Sequence, residues 1–202
     1  MNNQLLVSQA NRKPEKPAAT TFPTELRNDV LLIQDFVEKP EQLLAKALTS
    51  YPWQNDMKAR RTASFGAPYT SSHISYPHRE FPQEILDLLG RIERAIGWRP
   101  NNCLLNHYAS GANSMGFHSD DKNLMEPGTG VVIVSLGAER SLTFRKTGDV
   151  AQAFSVQLPS GSLFSMSREM QDSWQHAVTK DPSCDIPRIS LTFRKIPIND
   201  PR

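Results

Sequence analysis

Apolar residues along this chain follow two successive patterns. In the first hundred residues they recur at three- and four-residue steps. Leu43, Leu44, Ala47 and Leu48 share one face of a helix opened by Pro40-Glu41-Gln42 and stopped at Tyr51-Pro52. The clearest stripe follows Phe81, where Ile85, Leu88, Leu89, Ile92 and Ile96 predict a helix with Pro82 at its first position and Gly97 closing it. Ahead of both, Val30-Leu31-Leu32-Ile33 has the length of a buried strand. From residue 100 the pattern shortens to strand character over 102–109, 114–120, 130–136, 141–146, 152–158, 162–166, 174–178 and 188–195. Ser110-Gly111, Pro127-Gly128, Gly137, Thr147-Gly148-Asp149 and Pro159-Ser160-Gly161 separate these segments. So many short strands in succession predict a sandwich or jelly roll, an architecture that holds a cavity between its sheets. The fold class is mainly β with flanking helices (α+β), the N-terminal helices packed outside the roll.

Residues 1–24 carry Pro14, Pro17 and Pro23 among Asn, Gln, Lys and Thr, which predicts a flexible N-terminal tail and leaves 25–202 as one domain. The 202 residues are 38% hydrophobic, 8% aromatic and 22% charged, the composition of a soluble globular protein. No apolar run approaches the ~18–20 residues of a membrane span, and the N-terminus lacks the basic-then-apolar order of a secretory signal. Cys103 and Cys184 lie outside any C-x-x-C pair, which argues against a disulfide scaffold or thiolate zinc site and predicts a reducing, cytoplasmic compartment. Lys and Arg number 23 against 21 Asp and Glu, a net charge of +2 that does not by itself point to nucleic acid. A monomer is expected.

Candidate chemistry starts at His118-Ser119-Asp120. Residues two apart on a strand point to one side, so an imidazole and a carboxylate converge. His176, on another predicted strand, supplies a third group. Two imidazoles and one carboxylate make the facial triad of non-haem Fe(II) oxygenases, although a zinc hydrolase uses the same ligand types. The C-terminal strand separates these readings. Ile189, Leu191 and Phe193 share one face; Arg188, Ser190, Thr192 and Arg194 share the other, costly to bury unless it meets water or an anion. Six residues place the two arginine α-carbons roughly 20 Å apart, and side chains reaching toward each other leave a gap of ~6 Å, near the length of a five-carbon diacid. Guanidinium forks suit its carboxylates. The alternative is an edge strand whose polar face is solvated. Asn106 and Tyr108, again two apart, add hydrogen-bonding groups nearby.

The ordered motifs Leu105-Asn106-His107-Tyr108, His118-Ser119-Asp120-Asp121, Ser141-Leu142-Thr143-Phe144-Arg145 and Arg188-Ile189-Ser190-Leu191-Thr192-Phe193-Arg194-Lys195 resemble those of the AlkB-like Fe(II)/2-oxoglutarate-dependent dioxygenases. The resemblance covers roughly residues 30–196 and is greatest to the branch that repairs alkylated nucleic acid bases. It implies a double-stranded β-helix, with Fe(II) held by His118, Asp120 and His176. Arg188 would grip the distal carboxylate of 2-oxoglutarate and Arg194 the one near the metal, with Asn106 and Tyr108 completing that pocket. With O₂, such enzymes convert 2-oxoglutarate to succinate and CO₂ and oxidise an N-alkyl carbon, which leaves as an aldehyde. The implied substrate is DNA or RNA carrying 1-methyladenine- or 3-methylcytosine-type lesions, flipped out or single-stranded.

Lys58–Tyr69 matches the family's substrate lid, with Arg60 and Arg61 for phosphates and Phe65 and Tyr69 for stacking, or it is a solvated basic loop. The chain departs from the branch in two places. Lys122 stands where an acidic residue usually accepts a hydrogen bond from the base, leaving a phosphate contact as its substrate role. Ser71 and Ser72 stand where a stacking aromatic is usual, so Tyr69 or Tyr76 would have to substitute. Other readings are an oxygenase acting on a protein side chain or small molecule, and a non-catalytic nucleic-acid-binding member.

Overall fold

The computed structural model describes residues 22–71 and 73–197. Its strands are β1 (Val30–Ile33), β2 (Arg61–Gly66), β3 (Tyr69–Ser71), β4 (Ile74–Tyr76), β5 (Asn102–Tyr108), β6 (Met115–His118), β7 (Gly130–Gly137), β8 (Arg140–Lys146), β9 (Asp149–Leu158), β10 (Leu163–Ser167), β11 (Trp174–Val178) and β12 (Arg188–Arg194). Helices α1 (Pro40–Ser50) and α2 (Gln83–Ile96) and a single turn, α3 (Met170–Ser173), complete it. A six-stranded sheet runs β1-β10-β7-β12-β5-β2, a four-stranded sheet runs β6-β11-β8-β9, and β3 with β4 forms a separate hairpin. The pairings within the two large sheets are antiparallel.

Two apolar layers explain this arrangement. Ile85, Leu88, Leu89 and Ile92 of α2, with Ala47 of α1, pack on Leu105, Val132, Val134, Ile189, Leu191 and Phe193 on the outer face of the larger sheet. Leu142, Phe144, Val156, Leu158 and Trp174 of the smaller sheet meet Val131, Ile133 and Phe164 of the larger one. The helices therefore cover the roll from outside, as their apolar stripes require. Pro40 opens α1, and Gly97 closes α2 in the left-handed conformation, at φ 84°. Pro82 is the N-cap of α2 rather than its first helical residue.

The structure departs from the sequence reading in other ways. Residues 61–66, assigned to a lid, are the edge strand of the larger sheet, in register with Asn102–His107. The strand expected over 114–120 ends at His118, so Asp120 lies in the following connection. The tail expected over 1–24 lies outside the described residues up to residue 21, while Phe22 already packs against Phe154 and Phe164 at centroid distances of 6.5 and 6.3 Å. Apolar packing thus begins before residue 25.

Candidate active site

Pairing across the smaller sheet sets the site. His118, at the end of β6, lies opposite His176 on β11, and their rings stand 4.3 Å apart, centre to centre. Asp120 reaches the same point from beyond the strand end. One ligand atom from each of His118, Asp120 and His176 lies within 4.8 Å of the others. His118 Nδ1 lies 2.9 Å from the Gly116 carbonyl oxygen, which can only accept, so that nitrogen is the donor and Nε2 is the ring nitrogen left for a metal. Burial pushes the His176 pKa down to about 4 against the pull of Asp120, so its imidazole is neutral near pH 7. Burial alone would raise the Asp120 carboxyl, but Arg194, His176 and His118 override it and hold it at about 2. Asp120 Oδ2 is buried without a hydrogen-bond partner. Two imidazoles, that of His176 held neutral, an ionised carboxylate and an orphaned oxygen fit a divalent metal held on one face.

The larger sheet supplies the opposite wall. β12 is an interior strand between β7 and β5, so the edge-strand alternative does not hold. Arg188, Ser190, Thr192 and Arg194 line a cavity of about 490 Å³ together with Asn106, Tyr108 and the three metal-ligand candidates. Register explains the clustering: Arg188 stands opposite Tyr108, and Ser190 opposite Asn106. Arg188 is 1% exposed and donates to Ser135 Oγ at 2.9 Å, with its guanidinium 5.4 Å from the Tyr108 ring centre. Among the described residues no carboxylate pairs with it, and its Nε and Nη1 lack partners. Burial lowers its pKa, with Tyr108 opposing. Arg194 donates to Asp120 Oδ1 at 2.6 Å and leaves Nε and Nη1 unpartnered; burial opposes its charge, but Asp120 more than restores it. Two buried guanidiniums with free donors are costly unless an anion satisfies them. The Asn106 amide oxygen accepts from Arg60 Nε at 2.7 Å, leaving its NH₂ free to donate into the cavity.

The substrate-side residues divide. Arg60 and Tyr69 line the cavity, Tyr69 with its ring 5.0 Å below the Arg194 guanidinium. Arg61 and Phe65 face the other way because β2 alternates: Thr62 and Ser64 take the cavity-side register, while Arg61 pairs with His107 and Phe65 with Cys103. Arg61 donates to His107 Nδ1 and stacks 5.7 Å over Trp53; Phe65 is a core residue against Tyr51. Tyr76 is buried outside the cavity, donating to Thr62 Oγ1 at 2.9 Å. Lys122 is ion-paired with Asp172 and does not line the cavity either. Among the lining residues that the sequence reading did not assign to the site, two carry chemistry that bears on a substrate. Phe117 lies under the Arg145 guanidinium at 4.1 Å, and Asp121 is an exposed carboxylate at the rim that accepts from Asn123 N at 2.9 Å. Their only sequence signal was their position beside the metal-ligand candidates.

Fold and site together define a metal-dependent oxygenase with a dianionic co-substrate pocket. A family model described as 2OG-Fe(II) oxygenase superfamily matches residues 29–194. Alpha-ketoglutarate-dependent dioxygenase alkB homolog 3 of Mus musculus is 31% identical over 194 residues, covering 86% of this chain and 68% of its own length. The Homo sapiens protein of that name is 31% identical over 189 residues, covering 82% and 64%. DNA oxidative demethylase ALKBH2 of Homo sapiens is 28% identical over 161 residues, covering 76% and 62%. The chain thus spans roughly two thirds of the length of these relatives. The solved structure of OsALKBH1 superposes with TM-score 0.62 at 18% identity, covering 83% of this chain and 98% of that one. A 2OG-Fe(II) family oxidoreductase from Burkholderia pseudomallei gives TM-score 0.56 at 15% identity, covering 84% and 85%. The chain belongs to the 2OG-Fe(II) oxygenase superfamily, as an AlkB-like dioxygenase whose cofactors are Fe(II), 2-oxoglutarate and O₂.

Proposed function

We propose that this protein removes N-alkyl groups from bases of DNA or RNA, of the 1-methyladenine and 3-methylcytosine type, releasing an aldehyde, succinate and CO₂. Fe(II) with 2-oxoglutarate and O₂, when bound, supplies the oxidation of the alkyl carbon and the decarboxylation of the co-substrate. His118, Asp120 and His176 would hold the metal. Arg188 and Arg194 would hold the two carboxylates, and the Asn106 amide would donate to the same molecule. These groups would fix the co-substrate at both ends, with one carboxylate beside the metal.

The observation that carries the nucleic acid reading is the remaining rim of the cavity. Tyr69 and Phe117 offer flat apolar faces, Arg60 a cation, and Asp121 a carboxylate that can accept from an exocyclic amine. A methylated base of this type is cationic, which Asp121 favours. Lys122, a cation that would repel such a base, is paired with Asp172, which reduces that repulsion. The names of the relatives support the same reading: one is a DNA oxidative demethylase.

The test is mass spectrometry of a panel of methylated DNA and RNA oligonucleotides after incubation with the protein, Fe(II), ascorbate and 2-oxoglutarate. Loss of the methyl group with formaldehyde release is expected. Oligonucleotides left unchanged while succinate accumulates slowly would overturn the substrate assignment.

A further inference from the structure

The connection that carries Asp120 is not held by its own strand, which ends at His118. It is held by the segment that leads into the other wall of the metal site. Gln171, in the single turn α3, is 6% exposed, and its Oε1 accepts the backbone N–H of Asp120 at 2.9 Å. Three more contacts join the same two segments. Ser119 Oγ donates to the Trp174 carbonyl at 3.1 Å, Arg168 Nε donates to the Lys122 carbonyl at 3.0 Å, and Lys122 pairs with Asp172. The turn is itself anchored: Ser167 Oγ accepts from Met170 N at 3.1 Å and donates to Asp29 Oδ1 at 2.6 Å. His176 lies five residues beyond Gln171 on the strand that α3 opens into.

We infer that Gln171 is a positioning residue for the metal site: its side-chain amide fixes the Asp120 backbone so that the Asp120 carboxylate and His176 meet the metal as one unit. Several observations separate this from ordinary packing. Gln171 spends its buried acceptor on a ligand residue's backbone. Asp120, outside any strand, has no ladder bond to orient it. Its Oδ1 is held by Arg194 at 2.6 Å while Oδ2 is left free, so a small rotation of the backbone at Asp120 would redirect the free oxygen. Partners that orient metal ligands from behind typically account for ~10–100-fold in metal affinity. The exposed Lys122–Asp172 pair joins the same segments but is solvated, and contributes far less. Lys122, anomalous as a substrate contact, is accounted for as part of this brace.

The inference rests on the His118, Asp120 and His176 reading, and the experiment separates the two. Mn(II) affinity and the visible absorption of bound Co(II) are measured on the parent chain, Asp120→Ala, Gln171→Met and Gln171→Glu. Asp120→Ala is expected to abolish Mn(II) binding; if it binds like the parent, the triad reading itself fails. Gln171→Met removes the acceptor at similar volume, and is expected to weaken Mn(II) binding roughly 10–100-fold and alter the Co(II) spectrum. Gln171→Glu keeps an acceptor at the same reach and is expected to stay within about threefold of the parent. If Asp120→Ala loses metal while Gln171→Met matches the parent, or if the Met and Glu variants weaken equally, the positioning role is overturned. Amide hydrogen exchange in the unsubstituted, metal-free protein gives a test independent of any variant's folding. The Asp120 N–H is expected to exchange slowly and that of Asp121 fast; solvent-rate exchange at Asp120 would overturn the inference.

Discussion

Arg188 is buried at 1% exposure, donating to Ser135 Oγ beside the Tyr108 ring with no carboxylate partner among the described residues, an arrangement that makes physical sense when an anion completes it. Arg188→Met keeps most of the volume and removes the fork. Hydrogen bonds to charged groups contribute about 1.5–3 kcal/mol, so the 2-oxoglutarate concentration for half-maximal turnover should rise roughly 10- to 150-fold while Mn(II) binding stays near the parent value. Succinate production titrated against 2-oxoglutarate checks this, and an unchanged requirement would remove Arg188 from the pocket. Asp120→Ala acts on two partners at once. It removes a metal ligand and leaves Arg194 buried without its counter-ion, so the metal-free protein should also lose about 3–5 kcal/mol, read by urea denaturation. At this scale the arginines were readable because strand period alone puts residues 188 and 194 on one face. Phe65 and Lys122 were not readable. An aromatic and a cation look the same in sequence whether they face a ligand or their own chain, and the partner of Lys122 is Asp172, fifty residues away.

At the scale of elements, β12 was readable end to end: apolar and polar positions alternate, and the two faces go to the helix layer and the cavity as the pattern requires. Strand β2 was not. Its six residues, Arg61–Gly66, mix charge, hydroxyls and one aromatic, and only pairing with β5, some forty residues later, gives them a sheet face. Asp120 shows a related gap, because β6 stops two residues before it and a contact from α3 holds it there. The end of β2 also explains how the chain leaves the sheet toward the β3–β4 hairpin. Gly66, at φ 84°, exchanges backbone hydrogen bonds with Arg79, and a Cβ there would meet the Asn101 carbonyl oxygen at 2.1 Å and the Phe81 ring at 2.4 Å. Gly97 has the same φ of 84° but open space around it. Gly97→Ala should therefore cost only the left-handed strain, about 1–2 kcal/mol, whereas Gly66→Ala should cost more than about 4 kcal/mol and disturb the Tyr69 wall of the cavity. Chemical denaturation of the two variants checks the difference, and equal losses would refute the steric account.

For the whole molecule, the two layers divide the work: the helix-covered face of the larger sheet supplies most of the apolar packing, and the inter-sheet space is given over partly to ionisable groups. Holding buried histidines neutral, His176 between the sheets and His107 on the outer side of the larger one, has a consequence for acid stability. His176 titrates at about 4 in the folded chain against 6.5 when exposed, because burial disfavours its charge. His107 is likewise lowered, by burial and then by Arg61, whose guanidinium donates to His107 Nδ1. Between pH 6.5 and the folded values the unfolded chain binds protons that the folded chain does not, so stability falls as pH falls through that window. Asp120 works in the opposite range. Its folded value of about 2 lies below the ordinary 3.8, so its contribution is present above that ordinary value and disappears only as pH drops toward 2. The metal-free protein should accordingly show a Tm that declines steadily from pH 6.5 to 4, and His107→Gln should flatten part of that decline. Mn(II) should raise Tm most near neutrality and progressively less in acid, because protons and metal compete for the same imidazole nitrogens. Thermal scans across this pH range, with and without Mn(II), check both statements. A Tm independent of pH in the metal-free chain would mean that His176 and His107 are not held neutral by the fold, and with a neutral His176 would go the electrostatic case for a preformed metal site.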